Sequence, residues 1–382
     1  MRKHFLLEAL ACLGILALSG ESQAMRFGAF EINPFLSLTE RFTDNVFNTN
    51  ADRQSDFSTV ITPGVQIIFP RTKKKYRVEL VYRADLERFS KFTSENADGH
   101  MALGKFEIKL PVGLELYGND EFNRNHDPRG TNISPELDFY KSNLALVSAA
   151  YVLSDRFKVR VDYSNFILNY EADRNDFRNR TDNILAGYLY YRFLPKTSAF
   201  VEYDYVVVDF VTSEEFDSKE HHFFGGITWD VTGKTKGTVK GGYGIKEFTD
   251  PAIGGYNGSL MEIGIDHNFS SRHSLKVKGI RRTNETNVFG SDFFVTTGLS
   301  AEYFHKFTGK ITGKAYLSYG RDSYRGELSR KDDTWEGGLG LIYQFKKWLR
   351  TEMRYSYTNR SSTIRDFSYR NSTYYLKVVA TP

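Results

Sequence analysis

The chain has 382 residues, a formal net charge of +4, 31 Phe, 24 Tyr and one cysteine. So mild a charge argues against a dedicated nucleic-acid binder. Overall hydropathy is negative although aromatics abound, as expected when apolar and polar residues alternate rather than cluster.

The first element is a leader. In MRKHFLLEALACLGILALSGESQA, basic Arg2 and Lys3 precede an apolar run from Phe5 to Leu18, interrupted by Glu8, and the stretch ends Ser-Gln-Ala. This reads as a signal peptide over 1–24, cleaved after Ala24, with 25–382 as a single domain. The apolar run is short for a membrane anchor, which needs about 20 residues. Cys12 makes a weak lipoprotein site, because apolar sequence continues beyond it. The only thiol therefore leaves with the leader, which suits an oxidising compartment crossed without disulfides.

Beyond the leader the sequence predicts strands, at roughly 28–41, 57–69, 75–90, 100–110, 113–123, 138–152, 157–170, 182–193 and 198–210. The series continues at roughly 220–231, 235–247, 258–269, 274–282, 292–306, 310–319, 333–345, 348–358 and 371–380. That is about eighteen strands, with sixteen as the alternative count. Tight turn signals such as PRTKKK at Pro70, PVG at Pro111, LPKT at Leu194 and FTGK at Phe307 alternate with longer polar segments such as Thr43 to Ser55 and Asn123 to Glu136. Short connections on one side and long ones on the other are the pattern of an outer-membrane barrel. A propeller would need four strands in each repeat, and here each holds two.

The stretch YRVELVYRADLE, Tyr76 to Glu87, shows what the strands are for. Tyr76, Val78, Leu80, Tyr82, Ala84 and Leu86 alternate with Arg77, Glu79, Arg83, Asp85 and Glu87, and alternate residues of a strand face opposite ways. If the apolar set faces lipid, the ionic set faces water in a lumen. A one-residue slip would put basic side chains into hydrocarbon at about 2–4 kcal/mol each near the midplane, so lipid fixes the register. A soluble sandwich, the alternative, would bury that long apolar face against a second sheet. The same rhythm assigns Lys105, Glu107 and Lys109, then Lys158, Arg160 and Asp162, then Glu202 and Asp204 to the lumen. It adds Lys236 and Lys240, Lys276 and Lys278, and Arg350, Glu352 and Arg354. Strands 138–152 and 182–193 alternate poorly and their faces stay unassigned. Aromatics near the turns (Tyr190, Tyr191, Phe193, Phe304, Phe307, Tyr343, Phe345 and Trp348) are expected to form an interfacial girdle.

A closed sheet of about eighteen strands has a backbone diameter of about 35 Å and an aqueous channel. The wall of mixed ions suits weak, distributed contacts with a passing solute, while cross-strand ion pairing is the purely structural reading of the same residues. No insertion is long enough for a plug domain, although an external loop has room to fold inward as a constriction. Catalysis is not expected, because Asp266 and His267 are adjacent and point to opposite faces, and His221 and His222 fail as a chelating pair for the same reason. No metal or other cofactor is expected either.

The stretch INPFLSLTERFTDNVFNTN, with Pro34, Phe35, Asp44, Asn45 and Phe47, followed by Ser55-Asp56 and TVITPGVQI, resembles the outer-membrane beta-barrel porin family met in extracellular-polysaccharide gene clusters of Gram-negative bacteria. The resemblance extends over essentially the mature chain and is sharpest at residues 32–68. It implies an outer-membrane location and a role as channel or accessory in polysaccharide export. The implied partners are outer-membrane lipid, polysaccharide and periplasmic export or synthesis proteins, with no nucleic acid. A porin for uptake of small solutes is the alternative.

Overall fold

A long two-faced ribbon has unpaired backbone groups along both edges, and in hydrocarbon every such group needs a partner within the protein. The computed structural model describes residues 24–72, 75–130, 136–230, 233–286, 288 and 290–381. The signal peptide expected over 1–24, with Cys12, lies outside these residues except for Ala24. The first strands are β1 (Met25–Phe27), β2 (Phe30–Thr43), β3 (Asp56–Phe69), β4 (Tyr76–Phe89), β5 (Ala97–Lys109) and β6 (Leu114–His126). There follow β7 (Phe139–Val152), β8 (Phe157–Tyr170), β9 (Arg180–Leu194), β10 (Thr197–Phe210), β11 (Ser218–Asp230) and β12 (Thr235–Phe248). The last are β13 (Tyr256–Asn268), β14 (His273–Glu285), β15 (Phe293–Lys306), β16 (Ile311–Arg325), β17 (Lys331–Lys346), β18 (Leu349–Ser362) and β19 (Tyr369–Ala380). From β2 onward each strand pairs antiparallel with the next, and β19 returns to β2 from Leu36↔Ala380 to Thr43↔Thr373. The result is a closed 18-strand antiparallel barrel with no long free edge. No helix among the described residues is long and apolar enough to cross a membrane.

The strand registers carry one face assignment around the ring. Arg77 lies opposite Glu107, Glu107 opposite Tyr117, Tyr117 opposite Ser148, Ser148 opposite Asp162 and Asp162 opposite Ala186. The series continues through Asp204 and His222 to Gly244. At the closing seam Arg354 lies opposite Tyr375 and Tyr375 opposite Arg41, again on the ionic face. On this face side chains meet across an intervening strand. Lys158 of β8 reaches Glu115 of β6 at 3.1 Å, and Lys240 of β12 reaches Glu202 of β10 at 2.7 Å. Strands lie about 4.8 Å apart, so such reaches are eased where the sheet curves toward them, and the ionic face is the concave, inner one. The outer face exposes Leu80 (49%), Val161 (52%), Leu185 (52%) and Leu339 (66%).

Four expectations need correction or completion. The first strand does not start at 28: the chain doubles back at Gly28, whose φ of +58° suits glycine. β1 then pairs with β2 from Met25↔Ile32 to Phe27↔Phe30, below the point where β19 takes over that edge. Several strands run on into segments read as polar loops, since Asp322↔Asp332 and Asn359↔Arg370 are paired positions; polar side chains do not stop a ladder that leaves the membrane. The girdle is only partly external. Tyr191, Phe193, Phe307 and Phe345 are exposed on the outer face, but Tyr190 and Phe304 point inward, onto Phe200 and beneath Lys276 and Lys314.

The poorly alternating strands complete the set. Register puts Leu144, Leu146, Ile184 and Ala186 on the inner face of β7 and β9. Val206, Val208 and Phe210 of β10 form a buried cluster there with Ile184 and with Phe216 of the β10–β11 loop. On β9 and β10 alternation fails where the inner face carries this packed core rather than water, whereas Leu144 of β7 stays exposed.

Candidate functional site

The ionic residues picked out by alternation all fall on the inner face. On β4 and β5, Arg77 lies opposite Glu107 and Glu79 opposite Lys105; Glu79 accepts from Gln66 at 2.7 Å and Asp85 from Thr62 at 2.7 Å. Arg83 lies 3.4 Å from Asp85, and Lys109 lies 3.4 Å from Glu115. Arg160 pairs with Asp162 at 3.0 Å, and Asp204 is 3.7 Å from His222. Lys236 is 3.4 Å from Asp230, and Lys240 bridges Glu202 and Glu262 at 2.7 and 3.3 Å. Lys276 and Lys278 lie opposite Asp266 and Gly264. On β18, Arg350 faces Gln344, Glu352 accepts from Tyr375 at 3.2 Å, and Arg354 is 3.5 Å from Glu336. Most of these ions are therefore matched within the wall, which leaves a surface of near-balanced charge.

Alternation missed an aromatic group beside them. The Arg160 guanidinium lies 3.8 Å from the Tyr188 ring, Tyr188 stacks on Tyr190 at 6.0 Å, and Tyr190 meets Phe200 at 5.2 Å. The signal was hidden in YLYYRF, where rings occupy both faces.

The residues that carried the family resemblance are anchors. Phe35 lies over Gly64, where a side chain would collide with its ring. Pro34 falls between the end of the β1 pairing at Ile32 and the start of the β19 pairing at Leu36, where its missing N–H breaks no ladder on that edge. Asp44 accepts from the Ser372 amide at 2.7 Å and donates its own amide to the Ser372 carbonyl at 3.1 Å. Asn45, fully buried, donates to the Thr49 and Arg370 carbonyls at 2.8 and 2.9 Å. Phe47 packs edge-on against Phe92 at 5.0 Å.

This anchored corner receives the β6–β7 loop. Arg129 grips buried Glu95 with two bonds of 2.8 and 2.6 Å, Asn48 donates to the Arg129 carbonyl at 2.8 Å, and Arg360 of β18 donates to the Gly130 carbonyl at 3.0 Å. The start of the loop, up to Gly130, leaves β6 and meets the inner-face Arg360 of β18, six strands away around the wall, so it reaches over part of the mouth of the barrel. Beneath it lies a cavity of about 350 Å³ lined by Arg41, Glu87, Glu95, Asn125, Arg129 and Asn371.

A second inward element faces it. β13 and β14 are paired only from Met261↔Arg281 downward, although β13 begins at Tyr256 and β14 ends at Glu285. Above that point the outward-parity residues of β14 and β15 press on the inner face of β11 to β13. Glu285 meets the Lys246 ammonium at 2.6 Å, Thr283 donates to Glu220 at 2.6 Å, and Phe293 packs on Phe248 and Tyr256 at 5.7 and 6.1 Å. The Lys246 side chain has no solvent exposure and also meets Glu220 at 2.8 Å. The sequence holds no sign of this, because TNETNVFGSD reads as an ordinary polar loop.

The pairs set aside as catalytic or metal sites stay apart. His267 packs on Phe269 at 4.3 Å and faces away from Asp266, while His221 and His222 contact Tyr203 and Glu220 on opposite faces. No group of three or more metal-ligating side chains is found among the described residues.

A family model described as "Putative beta-barrel porin 2" matches residues 20–381. The chain belongs to that family. It is accordingly a porin-like channel of the Gram-negative outer membrane, in a family of channels rather than enzymes. The comparison with curated proteins returned no match. Among solved structures, the outer membrane protein OpdK of Pseudomonas aeruginosa is 9% identical, with 92% of this chain and 99% of that chain covered and a TM-score of 0.47. OpdL of the same organism is 11% identical, with 93% and 99% covered and a TM-score of 0.49. The FrpB iron transporter of Neisseria meningitidis is 8% identical, with 88% and 64% covered and a TM-score of 0.45. Likenesses at this level say nothing of what this porin carries.

Proposed function

We propose that this porin lets small polar solutes diffuse across the outer membrane, along a lumen lined by the inner-face ions from Arg77 to Arg354. The observation that carries the reading is the start of the β6–β7 loop, tied by Arg129 to Glu95 between β4 and β5 and by the Gly130 carbonyl to Arg360 of β18, six strands around the mouth. A backbone cylinder of about 35 Å would admit a hydrated polymer, but a mouth partly covered by this tied segment and by the folded-in ends of β14 and β15 favours small molecules. Matched ions in the wall suit solutes that must enter and leave without tight binding. Export of extracellular polysaccharide, with periplasmic synthesis or export proteins as partners, is the competing role and requires that loop to move aside.

Purified protein in a planar bilayer separates the two. Steady ion conductance that added polysaccharide does not alter, together with liposome swelling in small sugars and amino acids, is the expected result. Conductance blocked by polysaccharide would favour export, and absence of conductance would sink both.

A further inference from the structure

β13 and β14 carry a ladder that stops early while both strands continue. Above Met261↔Arg281 the register would run on as Leu260 with Arg282, Ser259 with Thr283, Gly258 with Asn284 and Asn257 with Glu285. Those positions are instead parted. The Ser259 carbonyl, which would join that ladder, accepts from the Arg281 guanidinium at 3.0 Å and the Tyr256 hydroxyl at 3.2 Å. Across the gap, Thr283 and Glu285 have outward parity yet bond to Glu220 and Lys246 on the inner wall. Phe293 and Val295, also of outward parity, are buried rather than lipid-facing.

The interrupted ladder defines a second arrangement of the same residues beside the one seen. In the one seen, the ends of β14 and β15 lie inside the wall, held by the Lys246 cluster and the Phe293 contacts. In the other, β13 and β14 zip to their ends, Phe293 and Val295 turn to the outer face, and the lumen widens by the room the hairpin now fills. The first has buried ion pairs and apolar contacts; the second has further ladder hydrogen bonds and apolar side chains in lipid. A packed element with two discrete seats is what switching requires.

We propose that the outer ends of β14 and β15 form a shutter with two seats, parted from β13 or zipped to it in the one register, and that Lys246 and Glu285 are the latch that sets the size limit of the pore. The proposal rests on the channel reading, but its first test does not. Beyond Cys12 of the leader the chain has no cysteine, so introduced pairs are free of background. Ser259→Cys with Thr283→Cys are unpaired when latched and directly opposed when zipped, where a disulfide fits. Ile265→Cys with Val277→Cys, opposed in the structure as it stands, is the control.

With oxidant, the control pair closes at once and the Ser259/Thr283 pair closes slowly. Adding Lys246→Met, which leaves buried Glu285 without its ammonium partner while Glu220 keeps His222, shifts the equilibrium toward the zipped state and raises cross-linking on the order of a hundredfold. Glu285→Gln is the milder variant should Lys246→Met fail to assemble, and it moves cross-linking in the same direction. In bilayers both variants pass larger polymers than the parent. No cross-link in either background, or equal cross-linking in both, overturns the shutter. A protein that cross-links as expected yet conducts nothing keeps the two seats and overturns the channel reading and the latch's role in pore size.

Discussion

Two parts of the wall obey different rules. β4 and β5 stay paired from Tyr76↔Ile108 to Glu87↔Ala97, with ions inside and Leu80 and Tyr82 outside. β13 and β14 lose their pairing at Met261↔Arg281, and residues of outward parity end up buried inside the barrel. In the first, two solvents hold the register: lipid takes one face and water the other. In the second, protein has replaced water on the inner face, so the alternation that lipid and water select no longer dictates which way a side chain points. A barrel wall follows the two-residue rhythm only where both its faces meet solvent.

The comparison breaks most sharply at Phe293. Truncating this buried ring, which packs on Phe248 and Tyr256, leaves a cavity inside the barrel and is expected to cost about 3–5 kcal/mol, as for other buried Phe→Ala changes. Unfolding in urea with lipid vesicles reads the loss. A cost as small as that of Leu80→Ala on the lipid face would mean that the hairpin end is not packed as described.

On the plain wall, charge is the probe. Leu80→Lys places an ammonium toward hydrocarbon and is expected to destabilise by about 2–4 kcal/mol if it sits near the midplane. Val81→Lys, one residue on and facing Gln66, is expected to change stability by well under half of that. Equal effects would show that the two faces are not lipid and water.

How much of this was legible in the sequence follows from the same rule. Tyr76 to Glu87, Phe157 to Ser164 and Leu349 to Tyr357 declare their faces because each residue type answers to a solvent. The inner placement of Val206 and Phe210, and of Tyr188 and Tyr190, was not legible, since their partners are loops and rings distant in sequence. Asn45 and Phe47 stood out through resemblance, but their work as anchors for Arg370 and Phe92 needed the three-dimensional ring. The β14–β15 fold-in was least visible: a polar loop gives no hint that Glu285 will meet a lysine from β12.

The smallest effect sets the loop over the folded-in strands against the loop after β8 by pH. Asp292, in the loop after β14, sits against Gly326, whose φ of +120° lets the backbone approach where a side chain could not fit. Burial and then the nearby Glu327 carboxylate push Asp292 above the usual carboxylate range. Its protonated form is the one the fold prefers, so its contribution is fully present below its unfolded value of about 3.9 and is lost as pH rises through the elevated one. Glu171, just past β8, behaves oppositely. Two bonds from Arg124, at 2.8 and 2.9 Å, hold it below the usual range, so its clasp is present above about 4.3 and is lost as pH falls through the depressed value. Mild acidification should therefore tighten the loop over the folded-in strands before it loosens the clasp beside β8. Carboxyl-carbon NMR of Asp292 and Glu171 gives the two midpoints directly, with Asp292→Asn and Glu171→Gln as assignments. If Asp292 titrates at or below Glu171, the loop is not closed over it, and the packed character claimed for this side of the barrel loses its support at the mouth.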